Sequence, residues 1–294
     1  MWLTLHRHHS DRARSLAEQA RDVDASRLFN PSVLTHAGVT WLAIRGRATG
    51  DRIESFLLRD DLDGADRTIN LSRVAKEYGI RSVADPKLLS LRDGVYVTFN
   101  TGWVRDAFND VFLWRIAPTL DTPKRCVYPN RNRIEKNWAF FEREGELLAL
   151  YALPDVMVLR GRLDGSEYHF VPYARRLDTS LRRRGLSIGT QLVPVGNEFH
   201  FVVHRKIWLN GKRLYYGVMA RLNIDGPPRL RLGRRALFHS YRSLLGSANR
   251  ANPNLWSCSY FSGLAKTEDA WLLGYGINDT DFAFAEASER ALWG

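Results

Sequence analysis

Asp85 and Asp279 are carboxylates, and Arg45, Lys136 and His204 are side chains able to hold an anion, that the sequence sets at or near the ends of short apolar runs. Gathered into one apolar-walled pocket, such a set suits glycosidic-bond chemistry. A carboxyl group protonates the leaving oxygen while positive charge grows on the sugar ring, and neighbouring cations hold a phosphate. The chain is also rich in aromatic residues that can stack on sugar faces, among them Trp103, Trp138, Trp208, Trp256 and Tyr260. Most of its nine Trp are expected to be packing residues instead.

A repeat must bring these residues together. The tight turns Ala37-Gly38, Asp93-Gly94, Glu144-Gly145, Gly196-Asn197 and Glu268-Asp269 are each followed by an apolar run: VTWLAI, VYVTF, ELLALY, EFHFVVH and AWLLGY. From Gly38 to Gly94, Gly145, Gly196 and Glu268 the steps are 56, 51, 51 and 72 residues. Such a period marks stacked units of which none buries its own face alone, and four-stranded propeller blades need roughly 40 to 50 residues each. The expected fold is therefore all-β: a five-bladed β-propeller over residues 30–294, preceded by a helical extension, 1–29, with a short helix in Ser10 to Val23. In a propeller the innermost strands line a central funnel. Their polar entry residues, Asn30, Asp85, Asn137, Thr190 and Ser262, converge there, while Arg45, Asn100, Tyr151, His204 and Tyr275 are expected to end the following strands.

Composition agrees with a folded body, at 45% apolar and 12% aromatic residues. A formal charge of +11, from 43 basic against 32 acidic residues, favours an anionic partner such as phosphate, a sugar phosphate or a nucleotide sugar. The arginines are scattered through loops, clustering only at Arg175, Arg176 and Arg182 to Arg184 and at Arg229, Arg231, Arg234 and Arg235, which reads as a solvated surface more than a nucleic-acid face. Two cysteines, Cys126 and Cys258, make no disulfide framework, and no spacing announces a metal; His6, His8 and His9 read as a polar terminus. No cofactor is expected. Neither a secretory leader nor an 18-residue apolar span is legible, so a soluble, cytoplasmic protein is expected.

The motifs NPSVL…WLAIRG, ADPKLLSLRDGVYVTF and EKNWAFFEREGELLALY, then EFHFVVHRKIWLNGKRLYYGVMARLNIDGPPRL and YFSGLAKTEDAWLLGYGINDTDFAFAEAS, stand in an order that resembles glycoside hydrolase family 130, the β-mannoside phosphorylases and mannosidases. The resemblance spans about Asn30 to Ala287. It implies that Lys136-Asn137 take the place of the family's phosphate-contacting Arg-Asn pair and His204 that of its phosphate-contacting His. Asp279 falls on an Asp of the last blade, and Asp85 on that of an Asp-Pro-Arg motif, with Lys87 in place of Arg. It also implies a preference for mannose. One departure stands out: where the phosphorylases carry their general-acid Asp, this chain reads FNTGW, with Asn100 and Trp103. An amide donates no acidic proton, so an acid must come from elsewhere, with Asp106, Asp110 and Glu135 as candidates.

Three readings follow. Glycosyl transfer with an anionic sugar phosphate or nucleotide sugar suits the basic balance. Hydrolysis needs two carboxylates, drawn from Asp85, Glu135 and Asp279. A noncatalytic glycan- or protein-binding propeller is the third. The expected substrate contacts are Asn30, Arg45, Asn100, Lys136, Asn137, His204 and Tyr260.

Overall fold

The computed structural model describes residues 2–5, 11–19, 25–48, 52–62, 68–153, 155–179, 185–246 and 250–294. The histidines His6, His8 and His9 and the arginines Arg182 to Arg184 lie outside these residues.

The regular structure is nearly all β, in successive antiparallel meanders. Strands Ala25–His36, Val39–Ala48, Ile53–Arg59 and Thr68–Asn70 make the first. Ala84–Leu91, Gly94–Asn100, Val111–Ala117 and Lys124–Val127 make the second, and Ala139–Arg143, Glu146–Ala152, Asp155–Asp164 and Glu167–Leu177 the third. The last strands of these two pair in parallel, Arg125 opposite Glu167, which fuses them into one eight-stranded sheet. The fourth centres on the hairpin Glu198–Leu209 and Lys212–Asn223, and the fifth is Leu255–Lys266, Trp271–Ile277 and Asp281–Ala287.

Side-chain alternation explains why the second strands read as unbroken apolar runs. Along a strand successive side chains point to opposite faces, so a sheet packed on both sides needs apolar residues at every position. Leu42 and Ile44 enter a core shared with Leu272 and Phe284 of the fifth meander, whereas Trp41 and Ala43 enter one shared with Val95 and Val97 of the second. Tyr96, on the opposite face from Val95, joins Phe140 and Ala149 of the third. Leu148 and Leu150 meet Phe201 and Val203 of the fourth, and Val202 meets Leu273 and Tyr275 of the fifth. Each apolar cluster thus lies between consecutive meanders, and one joins the fifth back to the first. This is β-propeller packing.

The seam between first and fifth meanders is a close backbone approach. A Cβ on Gly263 would lie 2.6 Å from the Val33 amide nitrogen, and one on Gly276 would lie 1.9 Å from Asn30 Oδ1. Glycine at both positions lets the strand carrying Asn30 sit directly on the fifth meander.

The amino-terminal helix is Asp11–Gln19, with Ala13, Leu16 and Ala17 buried against the first sheet. Residue 30, the expected domain boundary, falls inside the strand Ala25–His36, and Trp2–Thr4 pairs in parallel with Ala236–Phe238. That pairing uses part of the long fourth step, whose extra residues form Arg229–Leu232, Ala236–Phe238 and a 3-10 turn at Tyr241–Leu244. A helix at Leu71–Glu77, capped by the Asn70 side chain at 2.9 Å from the Arg73 amide, was not legible in the sequence. No helix among the described residues is long and apolar enough to cross a membrane.

Candidate active site

A cavity of about 500 Å³ opens where the inner strands begin. Its wall includes Asn30, Arg45, Asp85, Lys136, Asn137, His204, Tyr260 and Asp279. These eight come from all five meanders or the loops that lead into them.

Local backbone geometry explains the residue types at its rim. Asn30, Asp85 and Asn137 have φ of 54°, 51° and 60°, and Asn278 and Asp279 have 56° and 58°. Among non-glycine residues Asn and Asp tolerate this left-handed region best, because their short polar side chains bond locally. Strand register also shifts beside two of them, between Phe29 and Ser32 and between Ala84 and Lys87. Such bulges re-aim side chains, here toward the axis.

Hydrogen bonds hold the set in place. Arg45 Nη1 donates to Asp85 Oδ1 at 2.7 Å, and its guanidinium lies 5.0 Å from the centroid of the Phe29 ring. Lys87, 1% exposed, donates from Nζ to Asn137 Oδ1 at 2.7 Å, and the Tyr260 hydroxyl donates to the same oxygen at 3.2 Å. With its oxygen occupied by two donors, the Asn137 side chain on the cavity wall can act toward a ligand only as a donor, through its NH₂. The His204 ring packs 4.4 Å from that of Tyr260, and its Nε2 is buried without a protein partner.

Electrostatics separate the two carboxylates. Burial pushes the Asp85 carboxyl up, but Arg45, Lys136 and Lys87 outweigh it and hold Asp85 below the ordinary range. Asp279 moves the other way: burial first, then the Asp85 charge, raise it, against Arg45, Lys136 and Arg213. Burial also brings Lys87 down to about 7. His204 is pushed down to about 3, by burial and then by Lys87, so at neutral pH it is an uncharged ring rather than a cation. One ring nitrogen bonds the Phe261 backbone, and Nε2 is left as an acceptor for a sugar hydroxyl or a protonated phosphate oxygen.

Glu135 and Asn100 stand apart from this cavity. Glu135 is buried as an acceptor for Trp138 Nε1 at 2.7 Å, the Tyr151 hydroxyl at 2.7 Å and the Asn132 amide at 2.5 Å. Asn100 donates to the Ala84 carbonyl at 3.2 Å and accepts from the Gly102 amide at 2.9 Å. Neither is among the residues that line the cavity, though Asn100 borders a small hollow beside it with Asp85, Lys87 and Asn137. Asp106 is exposed beside Arg133, and Asp110 is paired with Arg131 at 3.1 Å; neither lines the cavity. Thr190 and Ser262 are buried, with their hydroxyls spent on the backbone at Gln191 and Pro31. Of the aromatic residues, Tyr260 lines the cavity, Trp138 is core, and Trp103 and Trp208 are exposed elsewhere. His204 and Arg45 do not end their strands, which run on to Leu209 and Ala48, while Tyr151 and Tyr275 are packing residues inside theirs.

The wall also holds Arg47, Arg213 and Tyr215. Arg45 and Arg47, like Arg213 and Tyr215, are two apart on one strand and share a face, so period-two alternation was the signal that could have found them. Lys87 carried no such signal, because the register shift after Ala84 breaks the alternation. In all, Arg45, Arg47, Lys136 and Arg213 face the cavity against Asp85 and Asp279. The site is suited to an anion.

No protein-family model matches the sequence, and no curated protein matches it. Solved structures do. A β-1,2-mannobiose phosphorylase from Listeria innocua, in complex with β-1,2-mannobiose, superposes with TM-score 0.58 at 12% identity, over 91% of this chain and 91% of that one. In fold the chain is similar to structures of glycoside hydrolase family 130. A family 130 structure from work on glycoside hydrolases targeting β-1,2 mannosidic linkages in Candida mannan gives 0.58 at 13% identity, over 90% and 85% of the two chains. A mannose phosphorylase from Leishmania mexicana, in complex with phosphate, gives 0.56 at 12%, over 96% and 94%. Likeness at this identity establishes the fold, and the expected β-propeller is the fold found.

Proposed function

We infer that this chain is a carbohydrate-active enzyme of the phosphorylase or glycosyltransferase kind, built as five blades, which makes or breaks a glycosidic bond with phosphate, a sugar phosphate or a nucleotide sugar. The observation that carries the reading is the convergence of Asn30, Arg45, Asp85, Lys136, Asn137, His204, Tyr260 and Asp279 on one cavity whose cations outnumber its carboxylates. Lys136 and the Asn137 amide donate to the anion, and Arg45, held by Asp85, adds a fixed positive charge. Asp279, raised by burial, keeps its proton to higher pH and is the group suited to protonate a leaving oxygen. It takes the role that Asn100 cannot fill. Mannose as the sugar is supported by the company of mannoside-active structures.

Hydrolysis is a second reading, favoured by the same pair of carboxylates with environments that push them apart. Thermal melts with phosphate, mannose 1-phosphate and a nucleotide sugar at millimolar concentration test the anion site. Saturation at 100 times Kd raises stability by about 2.7 kcal/mol. A panel that leaves the melting temperature unmoved refutes the anionic co-substrate. Release of free mannose from an oligomannoside without phosphate, lost in Asp279→Asn, would instead establish the hydrolase.

A further inference from the structure

Away from the central cup, a second cavity of about 550 Å³ lies on the side of the second meander. It shares no lining residue with the cup. Its volume falls within the roughly 300 to 1,000 Å³ of small-ligand pockets. Two aromatic rings on its wall remain open to solvent, Tyr78 at 47% and Phe108 at 59% exposure. Large exposed rings are costly to leave in water, and here two of them border one hollow. The Arg131 guanidinium lies 5.2 Å from the Phe108 centroid, and the ring's remaining exposure leaves apolar surface for a ligand.

The polar part of the wall is fixed and charge-matched. Arg125 binds Glu167 at 2.6 Å and lies 3.8 Å from Asp110, which also takes Arg131 at 3.1 Å. Guanidinium and carboxylate edges held in this way bond to hydroxyl groups without needing a charged ligand. The loop beneath is anchored as well: the Glu135 amide donates to Asn109 Oδ1 at 2.6 Å, and Asn109 Nδ2 donates to the Glu135 carbonyl at 2.7 Å. Open ring faces beside paired carboxylate and guanidinium edges suit a ligand with apolar C–H faces and many hydroxyls. A nucleic acid or other polyanion would instead meet carboxylates that cancel the arginines.

We propose that this lateral cavity is a second binding site, for a neutral oligosaccharide chain, stacked on Phe108 and Tyr78 and hydrogen-bonded by Asp110, Arg125 and Glu167. The carbohydrate reading of the cup guides the choice of probe, but the test separates the two sites. Affinity electrophoresis of the full chain through gels holding soluble yeast mannan, glucomannan or dextran reads the lateral site, and phosphate-dependent melting reads the cup. At least one polysaccharide retards the wild type; Phe108→Ala weakens that retention about fivefold to tenfold, and its phosphate response is unchanged. Arg125→Ala weakens it too. The proposal is overturned if no polysaccharide retards the wild type, or if both variants are retained as strongly as the wild type. Retardation that depends on Phe108 in a protein with no phosphate response supports the lateral site while refuting the cup's anionic co-substrate.

Discussion

Replacing Lys87 by Met isolates one buried charge. Lys87 is 1% exposed, and burial brings its ammonium from an ordinary 10.5 down to about 7, against the pull of Asp85. In the unfolded chain the same ammonium titrates normally, near 10.4. Between these values the unfolded state binds more protons than the folded one, so stability rises with pH, by up to about 1.4 kcal/mol per unit. The strain of burying the charge is therefore fully present below about 7 and relieved as pH climbs toward 10. From pH 7 to pH 9, with Lys87 half-titrated at the start, wild type should gain about 2 kcal/mol relative to Lys87→Met. Urea unfolding of both proteins at pH 7, 8 and 9 measures the difference directly, since the remaining groups are common to both. With a slope of about 3 kcal/mol per molar, the midpoints should diverge by about 0.7 M. Parallel midpoints across the range would mean that the ammonium keeps its proton, and the account of Lys87 as a buried, readily neutralised donor to Asn137 would be wrong.

Other perturbations follow the same logic. His204 titrates near 3 when folded and near 6.5 when unfolded, so acidification from 6.5 toward 3 should cost about 1.4 kcal/mol per unit, a slope that His204→Phe flattens in acid melts. Gly263→Ala drives a methyl to 2.6 Å from the Val33 nitrogen; it should destabilise by about 1 to 3 kcal/mol in chemical denaturation, and an unchanged midpoint would contradict the tight seam. Glu135→Gln turns an amide NH₂ toward groups that themselves donate, from Trp138, Tyr151 and Asn132, costing about 1 to 3 kcal/mol, whereas phosphate-induced stabilisation persists; loss of that response would place Glu135 in the site after all. Asp279→Asn should lower turnover about 10² to 10⁴-fold with phosphate binding retained, and wild-type activity should fall as pH rises through the raised Asp279 value.

Much of the architecture was legible from local signals. The turns at Ala37-Gly38, Glu144-Gly145 and Gly196-Asn197 are the hairpin turns found, and the loop of the fifth meander spans Glu268-Asp269; the second turn sits one residue earlier, at Arg92-Asp93. Turn chemistry and apolar runs act over a few residues, so one chain suffices to read them. Asn30, Asp85 and Asn137 were likewise legible because their left-handed backbone favours Asn and Asp at strand entries. The surroundings of Glu135 and Asn100 were not legible, because a buried acceptor and a buried amide look the same in sequence whether they line a cavity or hold a loop. Their partners, Tyr151 and Asn109 among them, are decided by packing.

The order of residues by itself determined the β-rich repeat and which side chains could do chemistry. The tertiary structure alone decided their environments. It took the charge from His204, loosened the proton of Lys87 and drove Asp85 and Asp279 in opposite directions. The reason is that burial and neighbouring charge are sums over groups that can lie more than two hundred residues apart, as Arg45 and Asp279 do, set by how the meanders close on one another.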